Sequence, residues 1–188
     1  NFDKVKAYLE SRSISEAMIS RFNLGYDPKH SSIIMPTSKS HYVYRSINGK
    51  SYGNNGSPGV FNAVALDQAA RPVFVCESII DAISIIDNGK EAVALCGVTN
   101  DEKLLSILKA KKEKKEPMPE LILYLDNDEA GHKASQELAE KLKKNGLTVT
   151  KFTHHSEYKD ANEFLKADKK HFTEYLDAAN EGIDKTSM

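Results

Sequence analysis

Two carboxylates spaced i, i+2 close an apolar run. Leu121-Ile-Leu-Tyr-Leu125 is followed at once by Asp126-Asn-Asp128-Glu129-Ala-Gly131. A short apolar run bounded by turn chemistry reads as a buried strand, and ligands of open α/β sheets sit beyond the carboxyl ends of the strands. Carboxylates crowded at such a place repel one another unless a cation lies among them, and an all-oxygen donor set suits Mg2+ or Mn2+. Asp128 has a second, structural reading as the N-cap of the next helix, with Glu129 favoured by its dipole.

Glu77 stands directly after Pro72-Val-Phe-Val-Cys76. A carboxylate at the end of a buried strand is costly unless something pairs with it. If the two strands are neighbours, Glu77, Asp126 and Asp128 converge. Ser78 reads as a helix N-cap with Asp81 at the third helical position, close to a capping box, and Asp81 is a lesser metal candidate. Lys159-Asp160-Ala-Asn162-Glu163 follows the last apolar strand pattern. Asp160 there is either a helix cap or a further ligand. His132 lies just past the acidic motif and is a minor candidate for touching substrate, whereas His154 and His155 read as loop residues.

A different texture runs from Pro28 to Leu66. It holds Lys29, Lys39, Arg45 and Lys50, no Asp or Glu, and Tyr42, Tyr44 and Tyr52 interleaved with the bases. Phosphate is attracted to such a surface, and exposed rings stack on nucleobases. The competing reading is an ordinary small sheet with a basic polar face. The stretch Gly53-Asn-Asn-Gly56-Ser-Pro-Gly59 lacks the Gly-Lys-Ser/Thr ending of a phosphate-cradling loop and reads as a plain loop.

The elements that must position these residues follow from periodicity. Val5, Tyr8 and Leu9 define a first helix. Ser13-Ile-Ser-Glu16 has the capping-box pattern before a second, with Met18, Ile19 and Phe22 on its apolar face and Gly25 to close it. Ser32–Met35 and His41–Arg45 read as strands, with Asn48-Gly49 as a hairpin turn. After residue 70 strands alternate with helices: Pro72–Cys76, Ile79–Asp87, Ala92–Cys96, a helix capped by the Thr99-Asn-Asp-Glu102 box, Leu121–Leu125, Ala130–Lys144, Leu147–Phe152 and a final helix over 168–180. That alternation predicts an α/β fold with a parallel sheet flanked by helices, preceded by a small α+β subdomain over residues 1–70.

Bulk properties narrow the function classes. The chain has 188 residues, 40% hydrophobic and 28% charged, with a net charge of −1. No strong basic field appears in the total, although residues 1–70 carry 8 Lys+Arg against 5 Asp+Glu and the remainder 18 against 22. Two cysteines, Cys76 and Cys96, make neither a zinc framework nor a disulfide scaffold; they read as buried thiols in a reducing cytosol. No stretch approaches the ~20 apolar residues of a membrane span, no signal peptide is evident, and the expected location is cytoplasmic. A start at Asn1 suggests an excised fragment.

Glu77-Ser78-Ile-Ile-Asp81, Leu95-Cys-Gly97 and Leu125-Asp126-Asn-Asp128-Glu-Ala-Gly131 together resemble the Toprim domain, the module shared by DnaG-type primases, topoisomerases and some nucleases. The Asp-Asn-Asp-Glu-Ala-Gly wording and Lys159-Asp160-Ala-Asn162 are similar to the primase form. So is the opening Tyr8-Leu-Glu-Ser-Arg12-Ser-Ile-Ser-Glu16 followed by Phe22-Asn-Leu-Gly25-Tyr26. The resemblance covers nearly the whole chain, with Ser78 where glycine is usual and His132 where arginine is common.

It implies a primase-type nucleotidyl transferase that makes short RNA primers on single-stranded DNA from ribonucleoside triphosphates. Asp126, Asp128 and Glu77 would be its catalytic and metal-binding acids, with Asp81 and Asp160 as further ligands. Arg45 and Lys50, with Lys39 and Lys159, would contact nucleic acid or nucleotide. A Toprim-type metal-dependent nuclease and a catalytically degenerate DNA-binding module remain the alternatives. The resemblance includes neither a zinc-binding module nor a helicase-binding region. The expected source is therefore a compact mobile-element protein or a piece of a larger one, meeting a replicative helicase through regions outside this chain. No tyrosine stands out as a topoisomerase nucleophile.

Overall fold

The computed structural model describes residues 1–49, 52–68, 70–97, 100–147, 149–152 and 157–181. Helices α1 (Phe2–Ser11) and α2 (Ala17–Phe22) open the chain. A four-stranded antiparallel sheet follows in sequence order: β1 (Gly25–Asp27), β2 (Ser32–Pro36), β3 (Tyr42–Ser46) and β4 (Tyr52–Asn55). A short 3-10 helix, Ala63–Asp67, leads into the second half. There β5 (Val73–Cys76), β6 (Glu91–Ala94), β7 (Leu121–Leu123) and β8 (Val149–Phe152) form a parallel sheet in the order β6-β5-β7-β8. Its helices are α3 (Ile79–Asp87), α4 (Asp101–Glu113) and α5 (Glu129–Lys144), and α6 (Ala161–Ala167) and α7 (Lys169–Glu181) end the fold. None of the helices in the described residues is long and apolar enough to cross a membrane.

The strand pleat sends alternate side chains to opposite faces, and two cores result. Phe74 and Cys76, Ala92 and Ala94, and Ile122 and Tyr124 pack with α1, α2, α3, α6 and α7. Val73 and Val75, Val93 and Leu95, and Leu121, Leu123 and Leu125 pack with α4, α5 and the 3-10 helix. Burial on both faces explains why the strand sequences are continuously apolar rather than alternating. Helix α3 has eight buried residues out of nine because it is roofed by neighbouring helices as well as the sheet. A helix that is apolar nearly all round has to be enclosed.

The segment that links the two sheets is tied to β6. Phe61 N donates to Ala94 O (2.9 Å), Ala94 N donates to Phe61 O (3.3 Å), and Asn62 Nδ2 donates to Ala92 O (2.9 Å). A second tie runs from Ser15, whose backbone N–H donates to Asp87 at the end of α3 (2.8 Å) and whose hydroxyl donates to the same carboxylate.

Several expected details are corrected. The Ser13–Glu16 capping box does not form: Ser13 takes a left-handed conformation (φ 58°), Ser15 turns to Asp87, and Glu16 pairs with Lys6 at 2.6 Å. Asn23, not Gly25, is the left-handed residue that closes α2, and Gly25 begins β1. The expected glycine-rich loop begins as a strand, β4, pairing Gly53 with Tyr44 and Asn54 with Val43. Thr99, of the box expected before α4, lies outside the described residues.

Candidate active site

Strand register brings the acids together. β5 and β7 are hydrogen-bonded neighbours with Val75 level with Leu123, and Tyr124 N donates to Val75 O (2.8 Å). The chain segments leaving these strands, Cys76-Glu77 and Leu125-Asp126, therefore emerge side by side. β6 lies on one side of β5 and β7 on the other, which makes this the topological switch point where open α/β sheets leave a crevice. A cavity of about 520 Å³ occupies it. Glu77, Asp81, Asp126, Lys159 and Asp160 form one wall, and Met35, Val43, Arg45 and Tyr52 of the antiparallel sheet form the other. Tyr52 is 79% exposed.

The acidic loop is built by its own backbone. Asp128 is the N-cap of α5, in extended conformation, and its Oδ1 accepts from Gly131 N (2.9 Å). Its Oδ2 faces Lys159 Nζ at 3.3 Å, and the same ammonium lies 3.4 Å from Asp126 Oδ2. The N-cap reading of Asp128 therefore holds for one oxygen, while the other faces Lys159. Asn127 holds the neighbouring segment: its N–H donates to Lys159 O (2.6 Å), its Nδ2 to Tyr158 O (3.1 Å), and its Oδ1 meets His132 Nε2 (2.8 Å).

Burial and like charge set the electrostatics. Glu77 is raised above the ordinary carboxylate value, first by burial and then by Asp126 and Asp128, with Lys159 opposing. Asp126 is also raised by burial and by Asp160 against the pull of Lys159. Asp128 is lowered, chiefly by the Gly131 N–H and then by Lys159. Lys159 is raised by its hydrogen bond to Asp128 and by Asp126. Two neighbouring acids pushed in opposite directions is a pattern that separates proton-handling from permanently charged groups.

Asp81 points inward, only 6% exposed. Its Oδ1 accepts from Asn162 N (2.9 Å) and its Oδ2 accepts from the Ser78 hydroxyl. Burial, then Asp160, raises it to about 7. Asn162 extends the network to Arg12 O and Ser84 Oγ, both at 2.9 Å. Ser78 caps α3 as expected, at φ −105° and ψ 155°, a backbone conformation open to any residue. Serine in place of glycine there brings no backbone strain. Asp160 caps α6, accepting from Glu163 N at 2.7 Å.

Of the basic candidates, Arg45 and Lys159 line the cleft. Lys39 is exposed in the turn between β2 and β3 and is not among the lining residues. Lys50, His154 and His155 lie outside the described residues. Among the described residues no three His, Cys, Asp or Glu side chains converge closely enough to hold an ion as they stand. Sequence reasoning gave no role to Asn127, for which position between the two acids was the available signal. Asn162 stood in the Lys159-Asp160-Ala-Asn162 motif, but its structural role was hidden because its partners Asp81, Ser84 and Arg12 are distant in the chain.

The Toprim-like family matches residues 74–165. A DNA primase of Mycoplasma genitalium is 31% identical over 104 residues, 55% of this chain and 17% of that protein's length. Among solved structures, the primase fragment of the bacteriophage T7 primase-helicase protein superposes with a TM-score of 0.66 at 21% identity, covering 89% of this chain and 73% of that one. The zinc-binding and RNA polymerase domains of Aquifex aeolicus primase give 0.68 at 16% identity, covering 92% and 55%. The RNA polymerase domain of Mycobacterium tuberculosis primase gives 0.67 at 15% identity, covering 95% and 75%. At these identities the structures speak for the fold. Residues 74–165 form a Toprim-like domain, similar to that of DnaG-type primases.

Proposed function

We propose that the chain is a DNA primase-like nucleotidyl transferase that joins ribonucleoside triphosphates on a single-stranded DNA template. One observation carries this reading: Glu77 and Asp126, at adjacent strand ends, share a cleft with Arg45 and the exposed ring of Tyr52 on the opposing sheet. The division at about residue 70 then separates a template wall from a catalytic wall.

Asp126 and Asp128 would hold the divalent cation; their all-oxygen donor set fits Mg2+ or Mn2+, and both already face one cationic nitrogen. When bound, the ion supplies neutralisation of the triphosphate oxygens and of the departing pyrophosphate. Glu77, raised by burial, takes the proton of the attacking 3′-hydroxyl. The 3′-oxygen forms its bond to the α-phosphorus as the bond to the pyrophosphate oxygen breaks. Arg45 grips phosphate across the cleft, and Tyr52 offers a stacking face to bases. Asp81, committed to Ser78 and Asn162, holds α3 and α6 in place beneath the acids.

The test is a dinucleotide-synthesis assay with single-stranded DNA, ribonucleoside triphosphates and Mg2+. Asp126→Ala and Asp128→Ala abolish synthesis while DNA binding persists; wild-type synthesis by either variant refutes the assignment. Nicking of DNA without nucleotides would mark a nuclease instead. DNA binding with neither activity would mark a binding module.

A further inference from the structure

The positive charge that the acidic loop calls for is already supplied by a side chain. Lys159 Nζ lies 3.4 Å from Asp126 Oδ2 and 3.3 Å from Asp128 Oδ2. The residue combines a fixed base with an exposed head. Its carbonyl accepts from Asn127 N and its N–H donates to Glu163 Oε2, both at 2.6 Å, and the preceding Tyr158 ring stacks on Phe164 of the core at 4.4 Å. The side chain itself is 56% exposed. Exposed ion pairs are weak and exchange readily, so the head can leave while the backbone stays.

We propose that Lys159 is a built-in placeholder for the divalent cation: its ammonium neutralises Asp126 and Asp128 while the ion is absent and is displaced onto anionic phosphate oxygens when ion and triphosphate enter. The inference rests on the reading that Asp126 and Asp128 hold a divalent cation. Two cationic groups compete for the same carboxylate oxygens, so the ion binds at the expense of the lysine contact. Triphosphate gives the released ammonium a new partner. Metal and nucleotide binding are then coupled, and the coupling is reciprocal.

The experiment is a Mn2+ titration of the full chain followed by electron paramagnetic resonance, with and without a triphosphate whose α–β bridge is a methylene. Lys159→Met binds Mn2+ about fivefold or more tightly than wild type without nucleotide, and the analogue raises its affinity less than it raises that of wild type. Lys159→Arg retains the charge and behaves as wild type. Equal or weaker Mn2+ binding by Lys159→Met, or an Arg variant indistinguishable from it, overturns the placeholder while leaving the metal site standing. An Asp126→Asn/Asp128→Asn double variant that binds Mn2+ as wild type does overturns the metal reading, and the placeholder with it.

Discussion

Gly131 packs against the backbone carbonyl of Asp126 so closely that a Cβ built on it would lie 1.9 Å from that oxygen. The first turn of α5 thus folds directly over the loop whose acids it presents, and the spacing from Asp126 to Gly131 is a steric requirement. Because the obstructing atom is backbone, Gly131→Ala must displace either the helix or the acidic loop. The expected cost is about 2 kcal/mol, in the range of overpacked sites, with a fall in melting temperature of roughly 4 °C or more. Mn2+ affinity should fall with it. A variant that melts and binds Mn2+ like wild type would show that the contact is dispensable.

The buried Asp81 makes stability depend on pH. Its folded-state value is about 7 against an ordinary 3.8, so between those values the native state keeps a proton that the unfolded chain releases. The stabilisation is fully present below the unfolded value and is lost as pH rises toward 7. Glu77 and Asp126, also raised, act in the same direction. Asp81→Asn cannot ionise there, so melting curves in chelator should show a smaller loss between pH 4 and 7 than wild type. Parallel curves for the two proteins would argue against a protonated Asp81.

Arg45 sits on β3, in the middle of the antiparallel sheet, and reaches the cleft wall. If it grips phosphate, Arg45→Ala weakens single-stranded DNA binding at every sequence and makes the salt dependence shallower by about one unit of log–log slope or slightly less. Filter binding across a salt series measures both. An unchanged slope would move the template path elsewhere, whereas Lys39→Ala should leave it unaltered.

Much of this architecture could be read from residue patterns. The continuous apolar runs at β5, β6 and β7 announced a sheet covered on both faces, and the acids stood at their carboxyl ends. What pattern alone could not supply was non-local. Ser13–Glu16 matches a capping box, yet Ser15 finds a better partner in Asp87, far away in sequence. β4 carries little strand propensity in Gly53-Asn-Asn and exists because β3 offers an edge to pair with. Lys159 reads as a basic residue beside a helix cap, and only the fold shows its ammonium resting between Asp126 and Asp128.

The most direct test of the acidic centre is a crystal of the protein soaked in Mn2+ and measured at the manganese absorption edge. An anomalous peak bonded to Asp126 and Asp128 is expected at the end of β7, on the side where Glu77 leaves β5. A peak elsewhere, or none at those carboxylates under saturating Mn2+, would contradict the assignment of these acids to the metal.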